Sequence, residues 1–182
     1  MSAIEVVSDD AAVQQSHFPV TETARMYKRR FPKADQDAIE AHIFLGSVGI
    51  ELSQRLNSFL SATGWSLTSA RYSILRLLYL TDDQQLTQSE IARRLRYTRG
   101  NITQLVDGLV RQGLVERAPS PVSRRMTLAR LTNKGQTCAA SLVPAMVDFM
   151  ERTCGALSKD EMAQLNLLLG KFLEGLRSAA AD

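Results

Sequence analysis

No apolar run in the 182 residues approaches the roughly 18 that a bilayer-crossing helix requires, so no membrane partner is expected. The first 20 residues lack a basic start followed by an apolar block, which leaves no secretory signal to expect. Cysteine is scarce: Cys138 and Cys154 stand alone, outside any CxxC pattern. With only two histidines, His17 and His42, one chain cannot complete a tetrahedral zinc site, so no metal and no cofactor are expected. The two cysteines read as small apolar residues in a reduced, cytoplasmic setting, with a redox switch as the alternative. Ten glycines and five prolines are few, and Leu and Ala abound, which favours helices over a sheet sandwich. There is no glycine-rich phosphate loop and no nucleophile motif, and His42 has no evident triad partner. Those absences argue against an enzyme.

What is present is charge, unevenly spread. Between Arg93 and Lys134 stand ten basic residues: Arg93, Arg94, Arg96, Arg99, Arg111, Arg117, Arg124, Arg125, Arg130 and Lys134. Only Asp107 and Glu116 oppose them, so this block carries +8 while the whole chain carries +3. The remainder is therefore acidic. A basic block on an acidic chain is the electrostatic footprint of a polyanion partner.

Hydrophobic spacing divides the chain into elements. Residues 1–20 show no helical period and read as a mobile tail. Residues 24–33 (ARMYKRRFPK) form a short basic amphipathic piece that Pro32 must interrupt. Asp35 caps a long helix over about 35–62, whose stripe runs from Ile39 to Leu60, and Gly64 ends it. Thr68 caps a helix over 68–80. The Thr87–Glu90 capping box opens a short helix over 88–95. After a tight turn at Arg96-Tyr97, Thr98 caps a helix over 99–112, closed by Gly113. Residues 114–132 then place two short strand-like segments around the Pro/Ser loop 118–123, which reads as a β-hairpin with Arg124 and Arg125 near its tip. Helices over 132–154, with a kink expected at Pro144, and over 159–177, capped by Ser158, complete the chain.

The expected fold is therefore mainly α with a small β-wing: a winged helix-turn-helix embedded between dimerisation helices. Its organisation would be a tail over 1–20, an N-terminal extension and first dimerisation helix over 21–62, a winged DNA-binding lobe over 63–135, C-terminal dimerisation helices over 136–178 and a tail over 179–182. The outer helices carry more apolar stripe than a small winged module covers, which points to a second copy of the chain.

Three stretches carry a family resemblance: Leu86–Leu95 (LTQSEIARRL), Asn101–Arg117 (NITQLVDGLVRQGLVER), and Arg124-Arg125 followed by Leu131–Gly135 (LTNKG). In this order they resemble the MarR family of bacterial transcriptional regulators. The similarity runs over roughly 35–178 and is sharpest over 86–135. One position departs: the family's wing commonly has an acid just before the two arginines, where this chain has Ser123. A neutral hydroxyl holds an arginine less firmly than a carboxylate does, so a looser wing is expected.

The resemblance implies a regulator that binds double-stranded DNA as a homodimer at an inverted repeat. A recognition helix enters the major groove with its N-terminal residues, here Thr98, Arg99, Gly100, Asn101, Thr103 and Gln104. Arg99 suits guanine, Gln104 suits adenine, and Gly100 permits close backbone approach. Arg124 or Arg125 would enter the minor groove, and Arg93, Arg94 and Arg111 would touch phosphates or remain in solvent. The resemblance also implies a pocket for a small aromatic or phenolic effector, with His42, Trp65, Arg71, Tyr72 and Arg76 as candidates against a plain core or surface role. The favoured reading is a ligand-responsive repressor. A thiol-responsive regulator of the same fold, and a protein-interaction module without DNA, are the alternatives.

Overall fold

The structure is a computed structural model that describes residues 20–119 and 127–178. The expected tails over 1–20 and 179–182 fall outside those residues, apart from Val20, and so do Ser123, Arg124 and Arg125. The described residues form seven helices and three strands, and the chain divides at Gly64 and Trp65 into two compact units.

The first unit is a pair of helices, α1 (Val20–Arg30) and α2 (Gln36–Ala62). The basic piece read over 24–33 proves to be the later part of a helix that starts at Val20, and its last three residues lie beyond the helix end. Pro32 cannot continue a helix and bars its predecessor from helical backbone angles, which accounts for the stop. Thr21 Oγ1 donates to Glu40 Oε1 at 2.6 Å, and Lys28 Nζ donates to the Ala34 carbonyl at 2.7 Å, so both ends of α1 are tied down. Asp35 caps α2 by accepting from the amides of Asp37 and Ala38. At 27 residues α2 is about 40 Å long. Its apolar stripe is only partly covered: Ile39, Ile43 and Leu56 are half-buried, whereas Val48 and Leu52 are exposed.

The second unit runs α3 (Ser69–Tyr79), β1 (Gln85–Thr87), α4 (Gln88–Leu95), α5 (Arg99–Arg111), β2 (Val115–Pro119), β3 (Thr127–Leu131), α6 (Asn133–Thr153) and α7 (Lys159–Ser178). The strands form one antiparallel sheet in the order β1-β3-β2. The β2–β3 pair is the expected hairpin, in register from Val115↔Leu131 to Pro119↔Thr127. The third strand was not expected. Gln85–Thr87 pairs with Thr87↔Leu128 and Leu86↔Ala129, and three residues are too few to show a two-residue period. Thr87 thus ends a strand and caps the next helix at once.

Four threonines open helices here by the same chemistry. The hydroxyls of Thr68, Thr87, Thr98 and Thr132 accept from the amides of Arg71, Glu90, Asn101 and Gly135. Gly113, just past α5, has φ +70°, the left-handed turn that glycine makes without a Cβ clash. The core gathers Ile74, Leu75 and Leu78 of α3, Ile91 of α4, Ile102, Val106 and Leu109 of α5, Leu86 and Leu131 of the sheet, and Cys138 and Leu142 of α6. α6 runs on through Pro144 as one helix. Beyond Met146 burial falls away, and α7 buries nothing.

Candidate nucleic-acid interface

The interface begins at α4. Thr87 and Glu90 form a reciprocal capping box: the Glu90 amide donates to Thr87 Oγ1 at 3.2 Å, while Glu90 Oε2 accepts from the Thr87 amide at 2.9 Å and from its hydroxyl at 2.6 Å. These bonds from Thr87, with weaker help from Arg94 and Arg93, hold the Glu90 carboxyl below its ordinary pKa. The helix ends at Arg96, which sits at φ 58° and ψ 38°. A left-handed arginine costs roughly 1 kcal/mol, and it closes α4 shortly before the Thr98 cap opens α5.

α5 separates its faces sharply. Ile102, Val106 and Leu109 are fully buried, whereas Thr98, Arg99, Gly100, Asn101, Thr103 and Gln104 are all exposed at its N-terminal end. A Cβ at Gly100 would meet nothing within 4 Å, so the backbone there is open to a close partner. Arg93 and Arg94 on α4 and Arg111 on α5 are exposed too. Arg93, Tyr97 and Arg99 line a hollow of about 440 Å³ with Ser89, Glu90 and Ala92. It is cationic and lies where α4 gives way to α5.

Not every cation of the basic block is available. Arg117 of β2 pairs with Asp107 of α5 at 2.5 Å, and Arg130 of β3 pairs with Glu116 of β2 at 2.7 Å. The two acids of the block are thus used to tie the wing strands to α5 and to each other. Lys134 Nζ donates to the Gln112 carbonyl at 2.8 Å, beside the end of α5. Arg93, Arg94, Arg99 and Arg111 have no ion-pair partner among the described residues. Sequence reasoning passed over Gln88. Its Oε1 lies 3.0 Å from the Thr103 hydroxyl, which joins the first residue of α4 to the exposed face of α5. The only available signal was its position directly after the Thr87 cap.

The effector candidates are spread out. His42 is exposed on α2, in the first unit. In the second unit Trp65, Arg71 and Arg76 are half-buried, and Tyr72 is 3 % exposed. Burial pushes the Tyr72 phenol pKa up against the opposing pull of Arg76, and its hydroxyl has no hydrogen-bond partner among the described residues. The larger hollow, about 710 Å³, is lined by other residues, among them Asp82, Asp83, Glu116 and Lys134. Of the two thiols, Cys138 is fully buried and its pKa is raised by that burial to about 11, whereas Cys154 is exposed.

Residues 65–126 match the model of the MarR family. The HTH-type transcriptional regulator PrsX of Escherichia coli is 30 % identical over 125 residues, which are 69 % of this chain and 74 % of that protein. The HTH-type transcriptional repressor YetL of Bacillus subtilis is 23 % identical over 164 residues, 90 % of this chain and 97 % of its own. Among solved structures, a mutant MarR from Escherichia coli complexed with operator DNA superposes with a TM-score of 0.66 at 26 % identity, covering 81 % of this chain and 97 % of that one. The chain belongs to the MarR family of HTH-type transcriptional regulators.

Proposed function

We propose that the protein is a ligand-responsive repressor that binds an inverted-repeat DNA operator as a homodimer. The observation that carries this reading is the split on α5: Ile102, Val106 and Leu109 are fully buried, and six polar or small residues at its N-terminal end are left to solvent beside unpaired arginines. Arg99 and Gln104 read base edges, Gly100 lets the backbone close in, and Asn101, Thr98 and Thr103 complete the major-groove surface. Arg93, Arg94 and Arg111 meet phosphates, and Arg124 or Arg125 supplies the minor-groove contact. The solved relative bound to operator DNA supports the same use of the fold.

Dimerisation rests on α7. Leu165, Leu168, Leu169, Phe172, Leu173 and Leu176 repeat along it, and each is 37 % exposed or more. Monomers rarely leave such a patch open. A two-fold partner would cover it and set two copies of α5 roughly 34 Å apart, one turn of DNA. The unpartnered, buried Tyr72 hydroxyl supports an effector that supplies the missing bond, an aromatic or phenolic acid near Trp65 and Arg76. Cys138 is a poor thiol sensor, because burial raises its pKa to about 11.

The test is selection of duplexes from a random pool by the purified chain, followed by gel retardation against scrambled competitor. The expected result is a two-fold symmetric site whose binding weakens steeply with salt and is released by aromatic acids. Binding that ignores sequence and salt would overturn the reading.

A further inference from the structure

Two glycines lie within α5, and only one sits in open space. A Cβ at Gly100 would meet nothing. One at Gly108 would lie 2.6 Å from both Nε and Nη2 of Arg71 and 2.7 Å from its Cζ. Glycine weakens a helix interior, so its presence at 108 needs a reason, and the reason is the Arg71 guanidinium, which occupies the space a Cβ would take. Arg71 is itself anchored, since its amide donates to the Thr68 cap at 3.4 Å. One turn further along α5, Gln112 Nε2 donates to the Ser66 carbonyl at 3.1 Å. The segment 66–71 thus grips α5 at two points, 108 and 112, both at the end opposite its exposed polar face.

We propose that Arg71 is a positioning residue for DNA reading: interlocked with Gly108, it fixes the roll of α5 about its own axis. This inference rests on α5 being the recognition helix. Roll matters because base contacts are made at the tips of long side chains. A rotation of about 20° moves a group roughly 6 Å from the helix axis by about 2 Å, enough to lose a bidentate bond. The grip also leaves Arg71 Nε and Gln112 Oε1 buried without partners among the described residues. Shape, rather than a closed hydrogen-bond network, therefore holds the seat, and one added methyl group can unseat it.

The test is a double-mutant cycle with two readouts. The first is the ratio of affinities for the duplex the wild type selects and a scrambled duplex. The second is the emission of Trp65, the single tryptophan, which adjoins the Ser66 carbonyl. Gly108→Ala should cut the affinity ratio at least tenfold, with scrambled-duplex affinity and salt slope unchanged, and should shift Trp65 emission. A merely structural effect would weaken binding to both duplexes alike and leave the affinity ratio unchanged. In the Arg71→Ala background, which folds because Arg71 is half-buried at the surface, Gly108→Ala should cost nothing further on either readout. An equal cost in both backgrounds, or no cost in either, would overturn the interlock. A Trp65 shift without a change in affinity ratio would overturn its role in reading DNA. If the wild type prefers no duplex, the DNA reading fails and the positioning role with it, while the Trp65 cycle still reports whether Arg71 and Gly108 touch.

Discussion

Ile102, Val106 and Leu109 on α5 and Leu165, Phe172 and Leu176 on α7 repeat with the same helical period, yet the first three are fully buried and the second three are exposed. Both stripes were equally visible in the sequence. A helical period states that a face will be covered and does not name the cover. In the winged lobe the cover is local, supplied by α3, α4 and β2. Along α7 no described residue is fully buried, and a second copy is the proposed cover.

That contrast is broken most directly by placing a charge on each stripe. Phe172→Glu and Leu169→Glu should leave the winged lobe folded and dissociate the dimer, because an unpaired charge in an apolar interface costs several kcal/mol. Operator binding should disappear although neither residue touches DNA. Val106→Glu should instead unfold the lobe. Sedimentation and circular dichroism of the three variants separate the outcomes. A wild type that sediments as a monomer at micromolar concentration would sink the dimer and its inverted-repeat site.

The two cysteines sharpen the same comparison within α6 and its end. Cys138 is fully buried in the lobe and Cys154 is exposed at the helix terminus. Raising the Cys138 pKa from 9 to about 11 cuts its thiolate fraction about a hundredfold at neutral pH. A maleimide or disulfide reagent should therefore label Cys154 first, with Cys138 at least about a hundredfold slower until the protein unfolds. The sign of the pH effect follows. The unfolded thiol ionises from about pH 9 while the folded one keeps its proton, so stability falls as pH rises from about 9 to about 11. Equal labelling of both thiols in the native state would contradict this core.

Much of the fold was legible because the local chemistry is explicit. Asp35, Thr68, Thr87, Thr98 and Ser158 announce helix starts, and each side chain accepts from an amide of its own first turn. The hairpin was legible from Pro119 and the change of period. Elements that depend on a distant partner were not. The strand at Gln85–Thr87 exists because β3 lies beside it. The start of α1 at Val20 was hidden, since the residues before Ala24 show no stripe, and its tie to Glu40 comes from another helix. For the candidate site, the cations could be counted, but which of them are spent on Asp107 and Glu116 could not, because both pairs join residues ten or more positions apart. The seat of α5 on Arg71 was illegible for the same reason.

On the exposed side of α5, single substitutions should separate base reading from phosphate contact. Arg99→Ala should lower affinity for the selected operator by about 1–3 kcal/mol and relax the preference at one base pair. Arg111→Ala or Arg93→Ala should weaken all sequences alike and lower the salt slope by about one. Quantitative retardation across a panel of single-base variants and salt concentrations distinguishes the two patterns. An Arg99→Ala protein with an unchanged base preference would remove that residue from reading.

The smallest expected effect lies at the joint between sheet and interface. Thr87 closes β1, caps α4 and bonds Glu90, so Thr87→Ala removes the cap and leaves the carboxylate without its nearest donor. Loss of a threonine cap costs about 1 kcal/mol, and Thr87→Ser, which keeps the hydroxyl, should recover most of it. Because the Glu90 carboxyl is held below its ordinary value, its contribution is present at neutral pH and is lost as pH falls below about 4.5, where the unfolded carboxyl takes up a proton first. Thermal unfolding of the wild type and Thr87→Ala should therefore differ most near pH 7 and less in acid, where only the bond from the Glu90 amide to the Thr87 hydroxyl is left to lose. Curves separated by the same interval at pH 7 and pH 3 would show that the bonds between Thr87 and the Glu90 carboxylate add nothing to stability. DNA affinity should track this cost only weakly, since the polar end of α5 has its own cap at Thr98.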